Sequence, residues 1–224
     1  MSEELPWSPR ERRWRRLLRP AWPAILRRTR PVSDVWGFDR GTPLDRHYIE
    51  GFLAEHRADI RGRVLEVRDS GYTDRFGSAV ERRDVLDVDP TNPRATIVAD
   101  LADPAQLPAE AFDCFILTQT LHLIYDLSAA VRGCHKLLRP GGVLLVTGPV
   151  VSRVRNVDFW RFTPASLSRL LEATFGQVTV RAHGNILAAT AFLSGMAKEE
   201  VPTRLLDRED PSFPVIVTAR AVKE

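Results

Sequence analysis

The stretch that decides the fold is FDCFILTQTLHLIYDLSAAVRGCHKLLRPGGVLLVTGP, residues 112–149. It begins with the continuous apolar run FDCFILTQT (112–120), which is typical of a strand buried on both faces of a parallel sheet. The amphipathic segment LSAAVRGCHKLLRPGG (127–142) predicts a helix that ends at the Pro-Gly-Gly sequence. The apolar run VLLVTGPV (143–150) predicts the next buried strand. A strand, a helix and a strand in this order indicate a parallel β-α-β unit.

The same alternation continues on both sides of this stretch. A helix over residues 44–56 precedes it, and Thr163 and Pro164 mark the N-cap and first residue of a helix that follows it. A further helical segment spans residues 186–196. Short apolar strands are expected at 63–67, 83–90, 95–100, 177–184 and 213–222. Short strands that alternate with helices argue for an α/β, Rossmann-like fold with helices on both faces of a seven-stranded, mostly parallel sheet.

Composition excludes several classes of protein. The chain has 224 residues, of which 44% are hydrophobic and 27% charged, and these values suit one sizeable globular domain. The sequence contains no apolar run of transmembrane length and no secretory signal, and Cys114 and Cys134 lie in apolar or helical contexts that suit reduced thiols. We therefore expect a cytoplasmic protein. The five histidines lack zinc-site spacing, so we expect no metal.

The first 31 residues form a basic segment that differs from the domain expected over residues 32–224. Nine Arg against three Glu in residues 1–30 give this part a charge of +6, so the remainder balances at about −3. Trp14, Leu17 and Leu18 can share one helical face among the arginines. A solvated helix packed on the domain is the simplest interpretation. Contact with an acidic partner, an anionic membrane surface or a second copy of the chain stays open, whereas nucleic-acid binding lacks a supporting motif.

The order of these signals over roughly residues 40–222 resembles the class I S-adenosylmethionine-dependent methyltransferase family. The most specific resemblance lies in the stretch 112–149, which is similar to the family's fourth strand, a leucine-histidine segment and a helix that ends in LRPGG. The segments 36–53 and 158–167 resemble a bacterial subgroup, methyltransferase type 11-like, that is associated with glycan or natural-product tailoring. The resemblance implies S-adenosylmethionine as cofactor and an antiparallel last strand.

The loop that would hold the amino-acid end of this cofactor is poor in glycine. In RVLEVRDSGYTDRFG (63–77), Glu66 fits the family's acidic position at the end of the first strand. Arg68 and Ser70 stand where the first two glycines would be, Gly71 is displaced by one position, and Tyr72 takes the third. Arg68 and Tyr72 then need side chains turned away or a backbone with negative φ. Arg68 can bind a carboxylate; the alternative is a turn that has lost its function.

Four further cofactor residues follow from the resemblance. Asp89, with Asp87 as second choice, matches the acidic residue that accepts hydrogen bonds from both ribose hydroxyls. Asp100 matches the acceptor for the adenine amino group, and Leu101 would pack on the ring. Gln119 follows the fourth strand. For the aspartates, the capping of a turn is the competing interpretation.

Candidate catalytic residues are His122, Tyr48 and Asp158. His122 is the best general base, because a neutral imidazole accepts a proton near pH 7, although a structural histidine explains the residue equally well. Trp160, Arg161 and His183 are the expected substrate contacts, since aromatic and charged side chains suit a polar ring such as a sugar. Trp160 can also belong to the core, which is the default for an aromatic residue.

These observations lead to one hypothesis with two rivals. The leading hypothesis is a methyltransferase that acts on an oxygen or nitrogen atom of a small-molecule acceptor, a sugar or a natural-product scaffold. The first rival is a protein of this fold that catalyses a cyclisation or rearrangement without methyl transfer. The second is a non-catalytic interaction module that docks through its N-terminal segment, because a fold does not fix a function.

Overall fold

The structure, a computed structural model, describes residues 7–18 and 29–224, which form two compact units. Unit 1 comprises the described residues of the range Met1–Glu50 together with Val150–Val154 and Ala182–Ile216. Unit 2 comprises Gly51–Pro149, Arg155–Arg181 and Val217–Glu224. Part of the predicted basic segment, including Arg19, Arg27 and Arg28, lies outside the described residues. The division of the chain at residue 31 therefore stays a prediction.

Seven helices and seven strands account for the regular structure of the described residues, besides short 3-10 turns. The helices are α1 Pro9–Leu18, α2 Asp45–Glu55, α3 Gly71–Phe76, α4 Leu127–Leu137, α5 Pro164–Glu172, α6 Ile186–Leu193 and α7 Thr203–Leu206. The strands are β1 Arg61–Val67, β2 Ala79–Asp87, β3 Ile97–Val98, β4 Phe112–Thr118, β5 Leu138–Pro149, β6 Gln177–His183 and β7 Ile216–Val222. Across residues 7–18 and 29–224, none of the helices has both the length and the apolar character needed to cross a bilayer.

The strands form one sheet in the order β3-β2-β1-β4-β5-β7-β6. The pairs β1–β2, β1–β4, β2–β3 and β4–β5 are parallel. The backbone of Lys223, just after β7, exchanges hydrogen bonds with Gly141 and Gly142 near the start of β5, so β7 runs antiparallel to β5. The predicted Rossmann-like sheet with an antiparallel last strand is thus confirmed. The strand order reverses between β1 and β4, and ligands bind at such a switch point, beyond the carboxyl ends of the strands.

The centre of the sheet is apolar, as the run 112–120 predicts. Phe115 and Ile116 of β4 and Leu65 of β1 are fully buried. Burial of each such side chain contributes about 1.5–3 kcal/mol to folding. The register places Glu66 beside Ile116 on one neighbouring strand and Val85 on the other, so this carboxylate lies at the buried end of β1.

Two local predictions on either side of β5 had different outcomes. The N-cap of α5 is confirmed: the Thr163 side chain accepts from the backbone N–H of Ser166, and Pro164 is the first helical residue. The predicted end of α4 at the Pro-Gly-Gly sequence is wrong, because the helix ends at Leu137 and the LRPGG residues open β5. Pro140 cannot continue a helix, and the pairing of Gly141 and Gly142 with Lys223 draws the segment into the sheet.

Candidate functional site

The candidate site consists of the turns that follow β1, β2, β3 and β4 in unit 2. Parallel strands end at the same edge of a sheet, so these turns lie on one side of it. The nine predicted cofactor residues lie in these turns or directly beside them: Glu66 at the end of β1, Gly71 and Tyr72 at the start of α3, and Arg68, Ser70, Asp89, Asp100, Leu101 and Gln119 in the turns.

Glu66 holds the turn after β1 together. The residue is 3% exposed, and its carboxylate accepts hydrogen bonds from the backbone N–H of Tyr72 at 3.1 Å and of Thr73 at 2.9 Å. The Thr73 hydroxyl donates to the same carboxylate at 2.8 Å. Burial raises the pKa of Glu66 to about 7, although the hydrogen bonds from Thr73 and Tyr72 oppose this shift. Because both oxygens serve the turn, the structure gives Glu66 a positioning role; its predicted contact with a cofactor is untested.

Arg68 adopts the backbone conformation of the glycine that it replaces. Its φ is +73°, in the left-handed region, which costs a residue with a Cβ roughly 1–2 kcal/mol. Negative φ is therefore excluded at this position, and the residue is exposed. Its carbonyl accepts from the side-chain amide of Asn92 at 2.9 Å. The conformation that glycine normally supplies is thus retained without glycine.

The three other residues that the glycine pattern singled out belong to the start of α3. Ser70 is the N-cap residue, and its hydroxyl donates to Asp74 at 3.1 Å. Gly71 opens the helix with an ordinary negative-φ backbone, and its N–H donates to Asp69. Tyr72 is helical too, so neither it nor Gly71 needs the freedom of glycine.

The end of β2 carries two aspartates with different surroundings. Asp87 accepts from the backbone N–H of Asp89 at 3.1 Å and from the Asn92 amide at 2.7 Å. Asp89 is exposed, and its Oδ1 accepts from the N–H and hydroxyl of Thr91, which lowers the pKa of Asp89. Both aspartates thus cap the turn, while Oδ2 of Asp89 makes no hydrogen bond to the described residues. Sequence reasoning missed Asn92, whose only signal was its place in the turn DPTNP.

The turn after β3 fits its predicted role less well. The Asp100 carboxylate accepts from the backbone N–H of Ala102 at 2.8 Å, which is the capping alternative. Leu101 is 3% exposed, and its carbonyl lies close to Gly133 of α4. A side chain in the core presents little surface to an adenine ring, so the structure does not support the predicted packing of Leu101.

The turn after β4 contains two buried polar atoms that no described residue satisfies. Gln119 has φ +48°, and its side-chain Nε2 is buried without a hydrogen-bond partner. The Nδ1 atom of His122 is buried in the same way. Among the described residues of unit 2, these two are the only buried side-chain nitrogen or oxygen atoms without a partner. Native structures rarely leave such groups unsatisfied, so each of these atoms needs a water molecule or a ligand as its partner.

Asp158 fixes the other side of the His122 ring. Its carboxylate lies 3.4 Å from Nε2 of His122, and it accepts from the Arg161 guanidinium and the backbone N–H of Arg155, each at 2.9 Å. These contacts lower the pKa of Asp158 against the effect of burial, so it is ionised. Burial lowers the pKa of His122 to about 4, and the imidazole is neutral at pH 7. With its proton on Nε2, facing Asp158, the ring presents Nδ1 as a hydrogen-bond acceptor.

Trp160 and Arg161 lie beside this pair and line a groove between α4 and α5. The Trp160 indole donates to the carbonyl of Ile124 at 3.0 Å, and the backbone N–H of Phe159 donates to the carbonyl of His122 at 2.9 Å. The groove has a volume of about 550 Å³, and its lining includes Leu127, Val131, Arg132, Arg169 and Leu170. Arg132 and Arg169 had no signal in the sequence, because helical charges normally face solvent.

Tyr48 and His183 belong to unit 1 and have structural partners there. The Tyr48 hydroxyl donates to the carbonyl of Leu206 at 3.1 Å, and burial raises the pKa of Tyr48. His183 Nδ1 lies 2.7 Å from Glu209, and its ring stacks on Tyr48 with centroids 6.1 Å apart. A buried phenol with a raised pKa is a poor proton acceptor at neutral pH, so these contacts give the predicted catalytic role of Tyr48 no support.

Comparison with known proteins gives the context of this geometry. Residues 58–146 match a family model described as "Methyltransferase domain". Over 115 residues, 51% of this chain, the sequence is 30% identical to a hybrid PKS-NRPS synthetase of Acremonium sp., of which the chain spans 3%. No cluster of metal-binding side chains occurs among the described residues.

Two solved structures show the same fold at low sequence identity. A SAM-dependent methyltransferase from Archaeoglobus fulgidus has a TM-score of 0.54 and 13% identity, with 80% of this chain and 94% of that chain covered. The [4+2]-cyclase SpnF has a TM-score of 0.54 and 15% identity, with 95% and 94% covered. At these identities the likeness concerns the fold alone.

Proposed function

We propose that this chain, which belongs to the class I S-adenosylmethionine-dependent methyltransferases, transfers a methyl group to an oxygen or nitrogen atom of a small molecule. The match over residues 58–146 supports the cofactor predicted from the sequence, S-adenosylmethionine. When bound, this cofactor supplies an electrophilic methyl group. The reaction and its acceptor are proposals that rest on the chain's own residues.

The observation that carries the proposal is the pair of unsatisfied atoms after β4, Gln119 Nε2 and His122 Nδ1. One is a hydrogen-bond donor and the other an acceptor in the neutral ring. An unsatisfied buried group costs about 1–3 kcal/mol, and a ligand that pairs with it offsets this cost. Both atoms belong to the turn at the switch point, where a cofactor and its acceptor would meet.

The cofactor fits the polar groups along this edge of the sheet. Asp89 is exposed and ionised, and it can accept from two ribose hydroxyls. Gln119 would donate through Nε2 to the carboxylate at the amino-acid end of the cofactor. Arg68, exposed at the end of β1, would pair with the cofactor's carboxylate. Substitutions of Gln119 and of Arg68 test the last two assignments separately.

His122 would accept a proton from the acceptor, and Asp158 would stabilise the resulting imidazolium. The acceptor's O–H or N–H would donate to Nδ1, and the imidazole would accept the proton that the acceptor loses on methylation. The cation that forms is then stabilised by the Asp158 carboxylate at 3.4 Å. Because burial lowers the pKa of His122 to about 4, we expect a contribution near the lower end of the 10²–10⁴-fold range of general bases. Alignment of the acceptor supplies the rest of the catalysis.

The acceptor class that we propose is a sugar or a natural-product scaffold. Trp160 is 38% exposed beside the His122–Asp158 pair, and an exposed indole suits the face of a polar ring. Tyr125 and Phe159 extend this aromatic surface, with ring centroids 5.4 Å apart. The local similarity to part of a PKS-NRPS synthetase is consistent with a natural-product acceptor.

A cyclisation or rearrangement without methyl transfer is the second candidate. The fold of the [4+2]-cyclase SpnF covers 95% of this chain, so the same architecture accommodates such a protein. A non-catalytic interaction module would instead bind no cofactor.

Calorimetry and product analysis distinguish the three functions. We expect S-adenosylmethionine and S-adenosylhomocysteine to bind, and S-adenosylhomocysteine to form when sugars and natural-product scaffolds are supplied. His122→Asn should lower turnover about 100-fold while cofactor binding is retained. His135→Asn, on α4 in the same unit, is the matched control. Binding without product formation across the panel would favour a rearrangement enzyme. No binding of either compound at millimolar concentration would overturn the proposed methyl transfer and favour the interaction module.

A further inference from the structure

Helix α1 has the opposite orientation to an ordinary surface helix. Its polar side faces the rest of unit 1, and its apolar side faces solvent. Trp14, Leu17 and Leu18 are 53%, 63% and 75% exposed, and no residue of α1 is buried. A surface helix normally buries its apolar stripe against the core. The exposed stripe therefore needs an explanation outside the packing of the described residues of this unit.

Arginines hold α1 in this orientation. The guanidinium of Arg12 donates to the carbonyl of Gly41 at 3.5 Å, and that of Arg16 donates to the carbonyl of Arg40. Arg15 lies 3.8 Å from the Asp39 carboxylate. All of these residues belong to unit 1. Arg12, Arg15 and Arg16 lie on one side of the helix and thus hold that side against unit 1.

The N-terminus of α1 carries sequence signals that favour the start of a helix. The Ser8 hydroxyl accepts from the N–H of Glu11 at 3.3 Å, and the Glu11 carboxylate accepts from the N–H of Ser8 at 2.6 Å, which forms a capping box. Pro9 is the first helical residue, a position that suits proline. The helix and its two faces are therefore locally encoded.

The outward face combines apolar side chains with positive charge. Positions 10, 13, 14, 17 and 18 follow helical spacing, so Arg10 and Arg13 share a face with Trp14, Leu17 and Leu18. Both arginines are exposed. A flat stripe of Trp and Leu flanked by Arg is the pattern of a helix that lies in a membrane interface and attracts anionic lipids.

Two other occupants fit this face less well. A second copy of the chain would bring Arg10 and Arg13 of both copies into one contact, and like charges there oppose pairing. A partner helix would need a groove, whereas three apolar side chains on a convex helix form a shallow surface. Tryptophan favours the boundary between water and lipid, where its ring is buried and its N–H stays hydrated.

We propose that α1 docks this protein on an anionic membrane surface, with Trp14, Leu17 and Leu18 inserted and Arg10 and Arg13 against lipid headgroups. Arg12, Arg15 and Arg16 keep the helix attached to unit 1 while its apolar face is in the membrane. This docking is peripheral, because α1 has ten residues and cannot span a bilayer. It is independent of the proposed methyl transfer.

Co-sedimentation of the full chain with vesicles tests the proposal. We expect binding to mixed phosphatidylcholine and phosphatidylserine vesicles at least about tenfold stronger than to phosphatidylcholine alone, and weaker in high salt. The triple variant Trp14→Ala, Leu17→Ala, Leu18→Ala should lose about tenfold or more of this binding, since alanine keeps the helix but removes its apolar face. Arg10→Gln with Arg13→Gln should abolish the preference for the anionic lipid.

The control variant is Arg57→Gln with Arg61→Gln, which removes two exposed arginines of unit 2 and the same charge. It should bind both kinds of vesicle as the unaltered chain does. Thermal unfolding shows whether each variant is folded. Equal binding by the triple variant and the control would overturn the proposal. So would a concentration-dependent dimer that the triple variant loses while vesicle binding is absent, which would assign the face to a second copy.

Discussion

The turns after β1 and β4 share a backbone conformation but differ in how their polar groups are hydrogen-bonded. Each contains a residue with a Cβ in the left-handed region, Arg68 at φ +73° and Gln119 at φ +48°. In the first turn the buried carboxylate of Glu66 is fully engaged with α3. In the second, Gln119 and His122 each keep a buried nitrogen unsatisfied.

The residues of the first turn stabilise the structure of the site, whereas the polar groups of the second turn are available to bind a ligand. Backbone strain occurs in both turns, so strain alone does not tell them apart. Hydrogen-bond satisfaction does, because a group that already has its partners inside the protein gains little from a ligand. Substitutions in the first turn should therefore change folding, and those in the second should change binding.

Glu66→Ala should have the largest effect on folding. It removes the buried acceptor of three donors, two backbone N–H groups and the Thr73 hydroxyl. We expect the free energy of unfolding to fall by about 2–4 kcal/mol, measured by urea denaturation. Glu81→Ala, on the exposed part of β2, is the control and should change it by less than about 0.5 kcal/mol. Equal effects of the two variants would contradict the conclusion that Glu66 stabilises the first turn.

The same carboxylate should make stability depend on pH. Burial raises the pKa of Glu66 from 4.5 to about 7, so between these values the folded state binds more protons than the unfolded state. The free energy of unfolding of the wild type, relative to Glu66→Ala, should therefore fall by about 1–3 kcal/mol as the pH rises through this interval. Denaturation curves at several pH values measure this difference. A difference that rises with pH would mean that the carboxylate is stabilised as the anion.

Gln119→Leu should change binding and leave folding intact. The variant removes the unsatisfied amide while it keeps the side chain's approximate size, so the unfolding free energy should not decrease. Affinity for S-adenosylhomocysteine should fall about tenfold, or about 1.4 kcal/mol, by calorimetry. Gln177→Leu, an exposed position in unit 2, is the control. Unchanged affinity would show that the second turn awaits a different ligand.

Arg68→Gly should have the smallest effect, a gain in stability of about 1 kcal/mol, because glycine adopts φ +73° without a steric cost. Arg68→Ala keeps the Cβ and its strain but removes the guanidinium, so the two variants separate the backbone from the side chain. Thermal unfolding and calorimetry with S-adenosylhomocysteine measure both. Weaker binding by both variants would assign the side chain to the cofactor, and unchanged binding would leave Arg68 with a backbone role only.

The sequence predicted the architecture better than the site. Apolar runs such as FDCFILTQT and the capping signals at Thr163 and Pro164 are local, so they fixed the order of elements around the site. The carboxylates were harder to assign. Asp89, Asp100 and Asp158 look alike in a sequence, yet the first two cap turns and the third is held by Arg161 and lies beside His122.

By itself, the sequence determined the seven-stranded sheet, the capped helices and the position of the glycine-poor turn, because these follow from periodicity and local hydrogen bonding. Only the tertiary structure decided which polar groups find partners and which face of α1 is exposed. Satisfaction of Glu66, lack of a partner at Gln119 and anchoring of Arg12 depend on atoms contributed by other segments of the chain. Burial and pairing of this kind are properties of the assembled fold, which a local pattern of residues does not contain.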